Sequence, residues 1–161
     1  MHDNAKVIET FYRAFSTMDA KAMGACYHPE AKFHDPVFLD LEGWQAKAMW
    51  QMFCENAKAV DLRVEFSGID ADERTGRAHW DAWYNFVATG RPVLNRIDAT
   101  FEFKDGKLYR HRDDFPLWKW SRMALGPIGV ALGWSPLVTG KIRSEARKRL
   151  NGYIAEHKLS P

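Results

Sequence analysis

Little in this sequence commits it to an easily named chemistry, and each shortage excludes something. Two cysteines occur in 161 residues, Cys26 and Cys54, both in helix-like stretches without metal-ligand spacing. That argues against a disulfide framework and reads as two small buried residues in a reducing compartment. The opening MHDNAKVIE has no basic n-region followed by an apolar h-region, so a secretory signal is not expected and a cytoplasmic location is. Net charge is only +2, and no general affinity for nucleic acid follows. There are no internal repeats and no low-complexity tract. The uncharged run 123–139, MALGPIGVALGWSPLVT, falls short of the ~20 residues of a bilayer span. Gly126-Pro127, Gly129, Gly133 and Pro136 also interrupt it, so a helical hairpin or an interfacial segment fits better than one continuous helix.

Aromatic residues are plentiful. Seven tryptophans suit a core, a wide pocket or a large subunit contact. At this length the chain is one domain with material for a substantial core. The most informative stretch is 91–115, RPVLNRIDATFEFKDGKLYRHRDDF. Two alternating runs flank Asp105-Gly106, a pair that favours a type I′ hairpin turn because both central residues need φ > 0. In the first run Val93, Asn95, Ile97, Ala99, Phe101 and Phe103 share one face, and charged or polar residues dominate the other. In the return run, parity groups Tyr109, His111, Asp113 and Phe115. A histidine and a carboxylate then point into an apolar interior.

Taken in order, Asp3 or Asn4 caps a first helix with Ile8, Phe11, Tyr12 and Phe15 on its apolar face. Asp19 caps a short second helix carrying Met23, Cys26 and Tyr27, and Pro29 ends it. Lys32–Asp35 reads as a short strand cut by Pro36, and residues 44–57 as a helix with a wide apolar stripe. Strands follow around 62–66 and 80–86, then the hairpin. The expected fold is α+β: a curved antiparallel sheet, with a four-stranded meander, wrapped by N-terminal helices into a cone-shaped pocket. Residues 1–118 form that domain, and residues 119–161 a C-terminal helical extension packed on it. In the extension Ile142, Ala146, Leu150 and Ile154 make a helical stripe under a basic surface.

The charge is unevenly spread: residues 1–103 carry 11 Lys and Arg against 16 Asp and Glu, while residues 141–158 carry 6 against 2. A solvated basic helix face explains this, and anionic partners are the alternative.

The three-helix opening, the stretch AKFHDPVF and the segment FEFKDGKLYRHRDDF together resemble the nuclear-transport-factor-2-like superfamily, in particular its SnoaL-like and ketosteroid-isomerase-like bacterial members. The likeness covers about residues 4–118. It implies a curved sheet around an apolar pocket, usually a homodimer, and usually no cofactor. It does not imply one reaction, since members include isomerases, cyclases, epoxide hydrolases and non-catalytic binders.

Carried over residue by residue, Asp35 before Pro36 matches the proton-shuttling base of ketosteroid isomerases. The oxyanion-hole positions of that group fall on Phe11 and Ala99, which supply no donor, so that isomerisation is not expected. Tyr12 and Asp98 are one residue away, but one step along a strand turns Asp98 to the opposite face. The Asp-Arg-Asp arrangement of limonene-epoxide-hydrolase-like members keeps its last aspartate at Asp113, with Trp80 and Ala82 at the other two positions. Asp113 also matches the acid/base aspartate of SnoaL-like cyclases.

The candidate catalytic residues are therefore Asp113, His111 and Asp35, with Tyr27, Trp80, Tyr84, Asn95, Ile97 and Phe101 as ligand-binding candidates. The i, i+2 spacing places His111 and Asp113 roughly 6.5–7 Å apart along the strand, a distance that brackets a substrate group or one water. A carboxylate in an apolar cavity is pushed towards its neutral form and becomes a useful proton-transfer group near neutral pH. The bland reading has Asp113 accepting bonds from Arg112, Trp118 or backbone, His111 satisfied in place, and Asp35-Pro36 only starting a turn. No spacing supports a metal site from His34, His111 and Asp113. The expected ligand is a bulky apolar small molecule, bound without cofactor and without nucleic acid. For residues 116–161 a lid or dimer contact is expected first, and a peripheral membrane contact second.

Overall fold

The computed structural model describes residues 1–161. Helix α1 spans Asp3–Ser16 and buries Ile8, Phe11, Tyr12 and Phe15. Its cap is His2, whose ring accepts from the Asn4 amide at 3.1 Å. Asn4 instead ties the helix to the turn at 72–73, its side chain donating to the carbonyls of Asp72 (2.8 Å) and Glu73 (3.1 Å). The Asp19 side chain caps α2, Ala20–Ala25, as expected.

That second helix ends earlier than Pro29. Tyr27 already belongs to strand β1, Tyr27–His34, which is longer than the expected Lys32–Asp35. Pro29 sits inside it, where pairing with the neighbouring strand slips between Tyr27 and Lys32. An irregular stretch leaves some amides outside the ladder, and only there is a proline tolerated. A short β2 (Leu41–Glu42) leads into α3, Gly43–Val60, closed at its start by a capping box between Glu42 and Gln45.

Strands β3 (Arg63–Ala71), β4 (Thr75–Asn85), β5 (Pro92–Lys104) and β6 (Lys107–Asp114) form the expected antiparallel meander. Asp105 and Gly106 both take positive φ, 52° and 68°, as a type I′ turn requires. The sheet order is β2-β1-β6-β5-β4-β3. It departs from a purely antiparallel sheet at one seam, because β1 runs parallel to β6. The intervening α3 carries the chain back across the sheet, which is how a parallel neighbour is reached.

The inner sheet face, α1 and α3 enclose one core of 27 buried residues. Three helices follow: α4 (Leu117–Leu125), α5 (Pro127–Leu132) and α6 (Pro136–Glu156). From α6, Leu150 and Tyr153 enter the main core, while Trp120 and Ala124 of α4 make a smaller cluster with Val93 on β5. No helix is long and apolar enough to cross a membrane.

Candidate functional site

Strand alternation turns Trp80, Ile97, Phe101, His111 and Asp113 inward, all 7% exposed or less. His111 and Asp113 do not bracket a gap, however. Their side chains bend together, and His111 Nε2 lies 2.9 Å from Asp113 Oδ1. The other imidazole nitrogen, Nδ1, is 2.6 Å from the Tyr27 hydroxyl, which also receives the Trp50 indole N–H at 2.9 Å.

This chain has a direction. An indole can only donate, so Tyr27 accepts from Trp50 and has its own proton left for His111 Nδ1. The histidine then carries its proton on Nε2 and donates to Asp113. Any other assignment leaves the Tyr27 proton without an acceptor. Trp80 Nε1 adds a second, longer bond to Asp113 Oδ1 at 3.4 Å. The donors to Asp113 are thus His111 and Trp80, and not Arg112, Trp118 or backbone. Both fall on Oδ1, which leaves Oδ2 without a protein partner.

A second unpartnered oxygen faces the same region. The Tyr12 hydroxyl is buried and makes no hydrogen bond. Burial first, then the Asp113 carboxylate and Tyr27, hold its pKa well above the usual tyrosine value, so it is a neutral donor. Tyr27 is raised by burial too, with the bond from Trp50 acting against the rise. Tyr12 and Trp50 were not among the candidate site residues read from the sequence. Their helical stripes read as core, and the signs at Tyr12 were a polar hydroxyl on an otherwise apolar face and a place next to the oxyanion-hole position at Phe11.

Asp35 starts a turn, the structural one of the two roles considered for it. Its Oδ1 accepts from the amides of Val37 (2.7 Å) and Phe38 (2.5 Å), and so builds the turn after β1. Burial nevertheless raises its pKa to about 7, with the Asp113 charge adding to the rise and the Phe38 and Val37 amides opposing it. Tyr84 receives the Trp120 indole N–H at 2.6 Å; burial, with the Asp35 charge helping and the Trp120 bond opposing, raises its pKa to about 12. Asp35 and Tyr84 are both partly exposed and mark the rim, with Asp113 at the bottom. The C-terminal helices cover that rim: Trp120 holds Tyr84, Arg143 donates to the Pro36 carbonyl (2.9 Å) and Arg147 to the Asp40 carbonyl (3.0 Å).

The interior of the cone is filled rather than open at Asp113. Phe11, Phe33, Trp50 and Phe101 pack around His111 with ring centroids 4.5–6.0 Å away. Two cavities stand out elsewhere. One, of about 1030 Å³, is a groove on the outer sheet face between charged side chains such as Lys32, Arg77, Glu102 and Arg112. His34, paired with Arg112, is on that side, 3.6 Å from Asp40, and makes no bond to His111 or Asp113. His111 also lines this groove, but its ring bonds inward to Tyr27 and Asp113. The other cavity, of about 430 Å³, opens where β5 runs on past the end of β6 and α4 takes over, and Asn95 lines it. Asn95 is 8% exposed and is one of the residues lining this second cavity.

Solved structures share this fold. A putative polyketide cyclase from Xanthomonas campestris pv. campestris aligns over 73% of this chain and 93% of its own, with 18% identity and a TM-score of 0.59. An LEH-like epoxide hydrolase from M. tuberculosis aligns over 80% and 95%, at 17% identity and a TM-score of 0.63. A protein with a ketosteroid-isomerase-like fold from Catenulispora acidiphila, in complex with trimethylamine, aligns over 81% and 97%, at 10% identity and a TM-score of 0.61. At such identities the likeness shows the fold alone. Curated proteins offer no match to the chain. The family model of the SnoaL-like domain matches residues 8–111, the span from the apolar face of α1 to the histidine of the relay, and the chain belongs to that family.

Proposed function

We propose that this protein binds and transforms a bulky apolar small molecule by cofactor-independent general acid–base catalysis. Asp113 is the proton-transfer group, His111 orients it and stabilises its charge, and Tyr12 donates to an oxygen of the ligand. Asp35, with a pKa of about 7, is the second acid/base at the rim. Two carboxylates in different surroundings suit separate acid and base roles. One observation carries the reading: a buried relay, Trp50–Tyr27–His111–Asp113, ends on a carboxylate with one oxygen free. A purely structural buried network has its acceptors satisfied within the protein, whereas a proton-transfer group keeps a position open for the ligand. The supported chemistry is proton transfer beside a carbonyl, or water addition, in keeping with relatives described as polyketide cyclases and an epoxide hydrolase.

A second reading is a small-molecule-binding dimer without catalysis, its ligand held away from Asp113, because aromatic rings fill the space around His111. The experiment is a ligand search by native mass spectrometry of the purified protein, followed by turnover measurements on Asp113→Asn. Catalysis predicts a folded variant slowed by ~10²–10⁴-fold. Near-normal turnover would take Asp113 out of the mechanism, and a bound ligand that the wild type leaves unchanged would move the protein to the binding class.

A further inference from the structure

We propose that the outer side of the α5 segment docks on an anionic lipid surface. This segment inverts the usual arrangement of a surface helix. Its small residues face inward: a Cβ added to Gly129 would lie 1.9 Å from the Ser121 carbonyl oxygen, and one added to Gly133 would lie 2.8 Å from Ser121 Cβ. Its large apolar residues face outward. Ile128 is 62% exposed, Trp134 69% and Leu137 84%, with Val130 and Leu132 near half. Glycine against α4 and leucine, valine and tryptophan against solvent is costly unless something covers the outside. The Trp134 indole N–H is satisfied within its own turn, by the Ala131 carbonyl at 2.9 Å, so the ring needs no partner protein to reach the interface.

Charge selects the occupant. Between Pro116 and Ala155 the chain has seven Lys and Arg against a single carboxylate, Glu145. Arg143 and Arg147 are spent on the Pro36 and Asp40 carbonyls, and Lys148 approaches Glu145 at 3.8 Å. Those nearest the apolar tip are without a carboxylate. Arg122 stacks on Trp118 at 4.8 Å, and Lys141 is one helical turn beyond Leu137. A second copy of the chain fits poorly, because a two-fold contact sets the same patch against itself and would bring these cations face to face. An anionic membrane offers both what the tip and what its rim require: an apolar layer a few ångströms deep for Trp134 and Leu137, and phosphate headgroups for the cations. No helix crosses it, so the association is peripheral. It stands whether or not Asp113 is catalytic.

The test is co-sedimentation of the full chain with vesicles of phosphatidylcholine alone and of phosphatidylcholine with phosphatidylglycerol in equal parts, beside light scattering of the free protein. Docking predicts at least about tenfold stronger binding to the mixed vesicles, weakened as salt rises. The double variant Trp134→Glu/Leu137→Glu should lose binding, and Arg122→Glu/Lys141→Glu should lose the preference for phosphatidylglycerol. These four side chains point outward, and far-UV circular dichroism checks that the fold persists. Equal, weak sedimentation with both vesicles overturns the proposal, as does undiminished binding by the variants. It is equally overturned by a wild-type dimer that Trp134→Glu/Leu137→Glu converts to a monomer, since the patch would then be a subunit contact.

Discussion

Tyr12 combines two properties that rarely persist together in a core: complete burial and a hydroxyl with no partner. A buried unsatisfied hydroxyl costs ~1–3 kcal/mol, and phenylalanine would fill the same space without that cost. Tyr12→Phe is therefore expected to leave thermal stability unchanged or raised, while turnover falls by ~10²–10³-fold, the usual worth of one donor to a developing charge. Thermal unfolding and turnover on the same preparation separate the roles, and a variant destabilised with turnover intact would reduce Tyr12 to packing. Asp35 makes a prediction in pH. Its folded pKa is about 7 against an ordinary 3.8, so between about pH 4 and 7 the folded chain holds a proton that the unfolded chain has released. Stability then falls as pH rises through that window, by at most ~1.4 kcal/mol per pH unit for one proton, and levels off above it. Asp35→Asn keeps an acceptor for the Val37 and Phe38 amides and removes the titration. Chemical denaturation across that range should find the variant flatter, and more stable than wild type at pH 8.

Among the elements, the pair α4–α5 depends on contact close enough to exclude a side chain. The space at Gly129 is taken by the Ser121 carbonyl, 1.9 Å from where a Cβ would stand. Backbone cannot yield as a flexible side chain does, so Gly129→Ala should push α5 away from α4. Its effect should be local, felt at Thr89, whose hydroxyl donates to the Ala124 carbonyl at 2.6 Å, and at Arg91, which donates to the Met123 carbonyl at 2.9 Å. Hydrogen exchange should show lost protection in 117–132 with β4–β6 unchanged; protection intact along α4 and α5 would contradict the packing. By contrast, β5 and β6 are neighbours in sequence, yet the Asp105-Gly106 turn alone does not set their register. It pairs Phe103 with Leu108, and an irregularity between Glu102 and Phe103 then shifts the ladder by one residue, which puts Phe101 opposite His111 and Ala99 opposite Asp113.

At the scale of the whole molecule, α6 joins the extension to the domain. Leu150 is fully buried in the main core, and α6 packs against α3, so residues 119–161 should unfold with the rest. Leu150→Ala is expected to cost ~2–5 kcal/mol and to shift a single transition, seen alike by circular dichroism and tryptophan fluorescence. Two separated transitions would make the extension an independent unit.

The sequence by itself determined what is local and periodic. The α1 stripe, the meander, the I′ turn, the burial of His111 and Asp113 and the outward face of Asp98 all follow from spacings of 3.6 and 2, and Asp98 is indeed outside, 2.8 Å from His79. The family was legible in the same stretches. The tertiary structure decided what joins residues far apart in the chain. Tyr27 reaches His111 across 84 positions and Trp80 reaches Asp113 across 33, and neither pairing has a sequence period. Nor does the parallel seam of β1 with β6, which released Tyr27 from the expected helix and aimed it at the relay. Whether the cone is hollow or filled was equally beyond the pattern. Periodicity says which side chains point inward, but only their packed volumes say how much space they leave.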